Sequence, residues 1–251
     1  MPTQRTDSFD CPFFAVQIKR MVEQMRYQHI RRGIFQDRPN RFIAHVELDG
    51  AVETVHVKNT GRCRELLVPG RLVYLERSDK PERKTKFDLI AVEKEGLLIN
   101  MDAQAPNRVF QEWAESGRWR TDLTCLRPES RFDRSRFDFY WEAAGGAKGF
   151  VEVKGVTLEA DGLVLFPDAP TERGLKHVEE LIACHAEGYE AALCLVVQME
   201  RACAFRPNDR TQPAFGEALR RAREAGVDIF ARTCHVAPDR ITMADPIPVE
   251  L

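Results

Sequence analysis

Two short runs near the middle of the chain alternate between apolar and polar residues. Such alternation predicts β-strands, because successive side chains of a strand point to opposite faces of the sheet. The runs are Arg136–Trp141 and Phe150–Lys154, and a glycine-rich segment typical of a hairpin joins them. The apolar side chains of the first run are predicted to share one face: Phe137, Phe139 and Trp141.

The polar faces of these two strands carry the candidate chemistry. Asp138 lies on the polar face of the first strand, and Glu152 and Lys154 project together from the second, opposite Val151 and Val153. Mg²⁺ binds proteins through one or two carboxylates together with water and substrate phosphate. A neighbouring lysine can orient water or stabilise charge on a reacting phosphate. The pattern predicts a divalent-metal phosphodiesterase site, with the solvent face of an edge strand as the alternative.

The elements around the two strands predict an α/β domain. Asn107 and Thr171 are the expected N-caps of two helices, and Gly117 is the expected stop of the first. The predicted order is a helix over 107–117, the two strands, a third strand at 163–166, a helix over 171–186, a buried strand at 191–197, a helix over 213–225 and a strand at 227–230. This order is similar to the α/β core of the restriction-endonuclease-like nucleases, whose metal carboxylates lie on the second and third strands.

Two further residues on the predicted helices are candidates for the site. Glu112 adjoins the apolar stripe of the first helix, where it could lean over the sheet as a third acid toward the metal. The alternative is a solvated surface glutamate. His177, on the second helix, is expected either to approach phosphate or to serve in capping or packing.

The first part of the chain predicts a small β-barrel. Five short β-like runs are separated by Gly and Pro turns, at 42–48, 52–57, 72–76, 87–92 and 97–99. A basic loop between two of them and two arginines after Gly61 are candidate contacts for nucleic-acid phosphates, with solvated hairpin tips as the alternative. These residues are Arg62, Arg64, Lys80, Arg83, Lys84 and Lys86.

The N-terminal segment has its own pattern. Apolar residues from Phe13 to Met25 recur at roughly helical spacing, which predicts a helical extension packed on the barrel, used in a dimer contact or serving as a phosphate-binding arm. The expected domains are therefore a helical extension over 1–38, an OB-fold-like domain over 39–104 and a nuclease-like domain over 105–251.

Charge and cysteine content narrow the function classes. The chain has 37 Lys and Arg against 39 Asp and Glu, so binding of nucleic acid would use local patches rather than overall charge. Seven cysteines form no Cys-x-x-Cys pair, which favours reduced thiols in a cytoplasm. No apolar stretch approaches the roughly 18 residues of a membrane span, so no membrane partner is expected. The oligomeric state is open, a homodimer included.

Motif-like stretches occur at 41–42, 59–61, 68–70, 106–108, 135–139, 151–158, 166–177 and 246–251. Together they resemble the sugar fermentation stimulation protein A (SfsA) family. The resemblance covers roughly residues 41–251 and implies an N-terminal OB-fold, a nuclease-like PD-(D/E)xK domain, DNA binding and a proposed nuclease activity. By motif matching it assigns the family's proposed catalytic set to Glu112, Asp138, Glu152 and Lys154. Departures from the family pattern are Val57-Lys58 in place of Cys-Pro, and Pro170 in place of Val.

The leading hypothesis is a cytoplasmic nucleic-acid-binding protein that uses Mg²⁺ or Mn²⁺ to hydrolyse phosphodiester bonds. Arg173 and Lys176 would hold the phosphate backbone of DNA or RNA near the metal. One alternative is a DNA-binding regulator of sugar metabolism that keeps the nuclease fold without catalysis. Another is a hydrolase of small phosphate esters. The sequence does not choose between DNA and RNA.

Overall fold

A computed structural model describes residues 24–59, 61–133 and 135–251. The first part of the described chain is all β. Its six strands are β1 (Ile30–Asn40), β2 (Ile43–Leu48), β3 (Ala51–Val57), β4 (Leu72–Arg77), β5 (Phe87–Lys94) and β6 (Leu97–Asn100).

These strands close into a barrel. The sheet order is β3-β2-β1-β4-β5-β6, and an additional parallel pairing of β3 with β5 closes the first five strands into a ring, with β6 added at the outer side of β5. Alternate side chains fill the interior, including Phe35, Val46, Val55 and Leu75, none of which is more than 1% exposed. Five strands, β1 to β5, thus form a closed barrel of the OB type, which confirms the predicted fold of this domain.

Strand β1 lies partly where a helical extension over 1–38 was predicted. That prediction is wrong for residues 30–38, which belong to β1, while residues 1–23 lie outside the described part of the chain. In β1, Gly33 and Phe35 face the core, and charged residues such as Arg31 and Arg32 occupy much of the rest. Its strand character comes from pairing with β2 and β4, which the local pattern does not reveal.

The rest of the chain forms an α/β domain. Its three helices are α1 (Ala105–Glu115), α2 (Glu172–Ala186) and α3 (Pro213–Glu224). Its strands are β7 (Leu123–Phe132), β8 (Ser135–Ala143), β9 (Lys148–Val156), β10 (Leu158–Ala160), β11 (Leu163–Phe166), β12 (Glu190–Val197), β13 (Ala204–Pro207), β14 (Asp228–Ala237) and β15 (Arg240–Ile247).

A six-stranded sheet of order β15-β14-β12-β9-β8-β7 is the centre of this domain, and its middle strands β9, β12 and β14 run parallel. Helix α1 packs on one face over Phe139, Trp141 and Val151. Helices α2 and α3 cover the other face over Phe150 and Leu193. Two layers of helices therefore bury the sheet on both sides, as parallel strands require.

Two details of the predicted topology are corrected. The strand at 163–166 is not the third strand of the meander, because β11 pairs with β10 and β13 in a separate three-stranded sheet. The meander is β7-β8-β9, so Asp138 and Glu152 lie on its second and third strands rather than on its first two. Helix α1 begins at Ala105 with Gln104 as N-cap, so Asn107 lies inside the helix. Thr171 caps α2 as predicted, accepting a hydrogen bond from the Gly174 amide at 2.9 Å.

The two domains are joined by a buried polar contact. The backbone N–H of Asn100 donates to the backbone carbonyl of Gln198 at 2.9 Å. The side-chain Nε2 of Gln198 donates to Asn100 Oδ1 at 2.8 Å and to the backbone carbonyl of Asp102 at 3.0 Å. Because all three residues are no more than 1% exposed, these bonds fix how the end of the barrel meets the end of β12.

Among the described helices, none is both long and apolar enough to cross a membrane.

Candidate metal centre

Asp138 lies where strands β8 and β9 separate. Their ladder runs from the pair Glu142 and Lys148 to the pair Phe139 and Val151 and ends there. At the next position, Asp138 Oδ2 accepts a hydrogen bond from the Val153 amide at 2.8 Å. The carboxylate thus takes the place of a backbone acceptor. It lies between the strands rather than on an open face.

The parting of the strands also changes which side chains share a face. Phe139 packs under α1, with its ring 5.1 Å from that of Phe110. Phe137 instead packs on the α2 side, 5.4 Å from the Phe150 ring and 6.4 Å from the ring of His177. The predicted common face is therefore wrong for Phe137. Simple alternation fails here because no ladder bonds between β8 and β9 hold the pleat beyond Phe139.

Glu152 is the most deeply buried acid of the site, at 1% exposed. Its Oε1 contacts both Lys154 Nζ and His177 Nδ1. Val151 and Val153 lie in the core under α1, so Glu152 and Lys154 project together on the opposite side, as predicted. No group among the described residues hydrogen-bonds to the buried Oε2 of Glu152.

The two carboxyl groups differ in how readily they ionise. Burial, together with the charge of Glu152, raises the pKa of Asp138 above its ordinary value, despite the Val153 amide and Lys154. Burial also raises the pKa of Glu152, but the hydrogen bond from His177 and the charge of Lys154 outweigh it and lower the pKa overall. Glu152 is thus held ionised, and Asp138 takes up a proton more readily as pH falls.

The donor set fits a small, hard cation. A buried carboxylate oxygen without a partner is costly in an apolar interior, and a bound cation would satisfy Glu152 Oε2. Within the described residues, no group of three or more His, Cys, Asp or Glu side chains is arranged to hold a metal ion. Asp138 and Glu152 alone would suit Mg²⁺ or Mn²⁺, which keep several water ligands, better than an ion that needs an all-protein cage.

Glu112 does not contact this cluster. Its Oε2 accepts a hydrogen bond from the Met25 amide at 2.9 Å, and its Oε1 accepts one from Arg108 Nε at 3.1 Å. The helix residue that contacts Asp138 is Asn107, whose Nδ2 donates to Asp138 Oδ1 at 2.8 Å. Glu112 is five positions after Asn107, which places the two side chains about 140° apart around the helix. The structure therefore brings together Asp138, Glu152 and Lys154 but leaves Glu112 outside.

Asn107 and His177 are the site residues whose roles the sequence did not identify. Asn107 has the residue type and position of an N-cap, so its sequence context indicates helix capping and not a contact with Asp138. His177 gives a usable signal, because it lies on the same helical stripe as the buried Leu181 and Cys184 and therefore faces the sheet. A histidine in that stripe needs a polar partner from the strands below, and Glu152 is that partner.

The predicted phosphate contacts of the barrel fall into two groups. Five of them are exposed and form no ion pair with any described residue: Arg62, Arg64, Lys80, Lys84 and Lys86. Arg83 differs, because its two terminal nitrogens donate to the Asp88 carboxylate at 2.9 and 2.6 Å. Asp88 also contacts His56 and Lys58, so Arg83 belongs to a partly buried charge cluster rather than to an open phosphate-binding surface.

The two basic residues predicted on α2 lie near the site. Arg173 is exposed, and its Nε lies 3.4 Å from His177 Nε2. Lys176 is one turn of helix before Glu180, with which it pairs at 3.4 Å. Arg173 is therefore connected to Glu152 through His177, whereas Lys176 has a carboxylate partner of its own.

Comparisons with known proteins agree with this architecture. The family model described as the SfsA N-terminal OB domain matches residues 37–101, and that of the sugar fermentation stimulation protein RE domain matches residues 104–240. A sugar fermentation stimulation protein homolog of Desulfitobacterium hafniense is 54% identical over 227 residues, covering 90% of this chain and 99% of its own. The homolog of Clostridium beijerinckii is 51% identical over 227 residues, covering 90% of this chain and all of its own.

A solved structure is also similar. It is described as Pyrococcus furiosus SfsA in complex with Ca²⁺ and is 29% identical, with a TM-score of 0.82. The match covers 90% of this chain and 98% of that chain. The similarity therefore extends over both the barrel and the α/β domain.

Proposed function

Because the chain belongs to the sugar fermentation stimulation protein family, we propose that it binds nucleic acid and that its second domain hydrolyses phosphodiester bonds. The observation that carries the proposal is the buried cluster of Asp138, Glu152 and Lys154 at the point where β8 and β9 separate. Two carboxylates can hold a metal ion that activates water for attack on phosphate, and an adjacent ammonium group can stabilise the charge that develops.

Asp138 and Glu152 would hold Mg²⁺ or Mn²⁺. When bound, such an ion makes a water ligand more nucleophilic and stabilises the charge that develops on the phosphate. Lys154 would orient the attacking water and contribute a positive charge beside the phosphate. His177 holds Glu152 in place through Oε1, which leaves Oε2 for the cation. Arg173, next to His177, would contact the phosphate backbone.

The exposed cations of the barrel would bind the rest of the strand. Lys80, Lys84 and Lys86 lie on the loop between β4 and β5, and Arg62 and Arg64 follow β3. Cations without ion-pair partners can neutralise phosphates without first breaking an internal salt bridge. We expect the affinity for DNA or RNA to fall with salt concentration.

Cleavage of labelled single-stranded and duplex DNA and RNA, with Mn²⁺ or with EDTA, tests the proposal. We expect cleavage only with the metal and a loss of about 100-fold or more in Lys154→Ala. Lys148→Ala is the matched control, because Lys148 is an exposed lysine at the other end of the same strand. Cleavage in EDTA, or full activity in a folded Lys154→Ala protein, would contradict the proposal.

A DNA-binding regulator without catalysis is the second candidate. The observation that favours it is that only two carboxylates reach the site, with no third metal-binding side chain among the described residues. In that case, DNA binding would be salt-dependent but unaffected by Mn²⁺ and by Asp138→Asn. Mn²⁺-dependent cleavage would exclude this candidate.

We also propose a cytoplasmic location for the protein. Cys63, Cys184, Cys194 and Cys234 are buried free thiols, and Cys203 is an exposed one. Thiols in this state are typical of a reducing compartment. Titration of the denatured protein with a thiol reagent, with and without prior reduction, should give the same count of free thiols.

A further inference from the structure

A pocket of about 420 Å³ lies between the two domains. The barrel contributes Arg41 and Asn59 to its lining, and the second domain contributes Gly155 near the end of β9 and Gln198 just after β12. Because β9 and β12 run parallel, the pocket lies at their carboxyl ends, where α/β sheets commonly bind ligands. Gly155 directly follows Lys154, so one strand, β9, contributes both to the lining of the pocket and to the proposed site of hydrolysis.

Two nearly buried polar side chains in this pocket have hydrogen-bonding groups without protein partners. Thr157 is 7% exposed and Gln198 is 1% exposed. Gln198 Nε2 is satisfied by Asn100 and Asp102, but no donor in the described part of the chain reaches its Oε1. Thr157 Oγ1 likewise forms no hydrogen bond with a described residue. A hydroxyl and an amide oxygen at this depth match a ligand with an N–H group and a carbonyl or ring nitrogen on one edge.

The shape and walls of the pocket suit a flat, partly apolar ligand. Leu165, Phe166 and Pro167 form an apolar wall, and the Phe166 ring is held 5.2 Å from that of Phe215. The exposed Arg41 adds a cation to the lining. The volume is of the size that holds one small ligand and is too small for stacked base pairs.

The part of the pocket that the barrel forms is held in place by hydrogen bonds within the protein. The Arg38 guanidinium donates to the carbonyls of Asn59 at 2.6 Å and of Gly61 at 2.9 Å. Gly61 lies so close to the second domain that a Cβ there would be 2.2 Å from Asp168 Oδ2. Asn59 and Gly61 are thus held by Arg38, and Gly61 fits closely against the second domain, which lowers the entropic cost of binding a ligand.

We propose that this pocket receives the base of one unpaired nucleotide. The strand that reaches Asp138 and Glu152 is therefore single-stranded, or opened at that nucleotide. Thr157 and Gln198 hydrogen-bond to the edge of the base, and the apolar wall lies against its face. Arg41 contacts the phosphate of the same nucleotide. This inference rests on the proposed function, because it names the kind of strand that the nuclease-like site accepts.

The test uses a short single-stranded oligonucleotide that contains 2-aminopurine, whose fluorescence reports unstacking of that base. Binding is measured in EDTA, so that no cleavage occurs, and it is compared with a blunt duplex of the same sequence and with free dAMP as competitor. We expect the full-length protein to bind the single strand at least about tenfold more tightly than the duplex, with a change in fluorescence.

Thr157→Val removes the hydroxyl at nearly constant volume and should weaken single-strand binding about five- to tenfold, as the loss of one hydrogen bond predicts. Thr242→Val, the same change on β15 at the sheet edge, should have no effect. Leu165→Trp, which fills the pocket, should weaken binding at least as much as Thr157→Val. Melting curves show whether each variant is folded.

Equal binding of single strand and duplex, or a folded Thr157→Val and Leu165→Trp pair that binds like the wild type, would overturn the proposal. So would tight binding of dAMP without binding of the strand, because the pocket would then serve a free nucleotide. Pocket-dependent binding without Mn²⁺-dependent cleavage would reject the nuclease function alone. Cleavage that is indifferent to both pocket variants would reject the pocket alone.

Discussion

Replacing His177 with leucine removes the hydrogen-bonding partner that holds Glu152. Glu152 is 1% exposed, and a hydrogen bond to a buried charged group contributes about 1.5–3 kcal/mol. Because Lys154 still contacts Oε1, the full penalty for an isolated buried charge, about 3–5 kcal/mol, does not apply. We expect His177→Leu to lower the free energy of unfolding at neutral pH by about 2–3 kcal/mol.

The pH dependence of this loss is specific to the site. The wild-type pKa of Glu152 is lowered from its ordinary 4.5, so its ionisation contributes stability above that pH and the contribution is lost as pH falls through the lowered value. In His177→Leu the effect of burial dominates, and the pKa of Glu152 rises. The stability difference between wild type and variant should therefore be largest at neutral pH and shrink as the solution is acidified.

Denaturant unfolding of both proteins from neutral pH down to about pH 4 measures the difference. His177→Asn keeps an N–H close to the position of Nδ1 and should restore part of the stability. His235→Leu is the matched control, because His235 also pairs with a glutamate, Glu200, at 3.1 Å but is 67% exposed. That change should cost less than about 1 kcal/mol. A His177→Leu loss no larger than the control, or one that grows on acidification, would refute the account.

Two further predictions concern the predicted residues that the structure places elsewhere. Glu112→Gln should leave Mn²⁺-dependent cleavage within about twofold of wild type, because the Glu112 carboxylate contacts Met25 rather than the acidic cluster. Thermal melting should show that the variant loses about 1 kcal/mol of stability. A loss of cleavage equal to that of Lys154→Ala would contradict this prediction. Arg83→Ala should destabilise the barrel by about 1–3 kcal/mol, whereas Lys84→Ala should leave melting unchanged and reduce the salt dependence of DNA binding by about one phosphate contact. If Arg83→Ala instead left melting unchanged and reduced the salt dependence of DNA binding, Arg83 would be a phosphate contact, as the sequence predicted.

Local patterns predicted the strands and helices that bury a regular face. Strand β9 was predicted because its valines alternate with Glu152 and Lys154, and α2 because Thr171 caps it and apolar residues recur along one stripe. Strand β7 was not predicted. Its sequence includes Pro128 and several exposed polar residues, and it is a strand because β8 supplies a partner along its whole length. Edge strands of this kind depend on long-range pairing that a single-sequence pattern does not contain.

The site was predictable as far as residues on one or two adjacent strands determine it. Glu152 and Lys154 are two positions apart on a strand, so their contact follows from strand geometry. The contacts of Asp138 with Asn107 and of Glu152 with His177 join residues 31 and 25 positions apart, and they depend on how α1 and α2 are oriented on the sheet. The prediction for Glu112 depended on that orientation, which the helical pattern alone does not define.

The most direct test of the central claim is a crystal structure of the protein soaked with Mn²⁺, with anomalous diffraction to locate the ion. We predict an anomalous peak in contact with Glu152 Oε2 and the Asp138 carboxylate, and its loss in Glu152→Gln. A wild-type crystal without a peak at this position, or one whose peak persists in Glu152→Gln, would contradict the claim that these carboxylates form the metal centre.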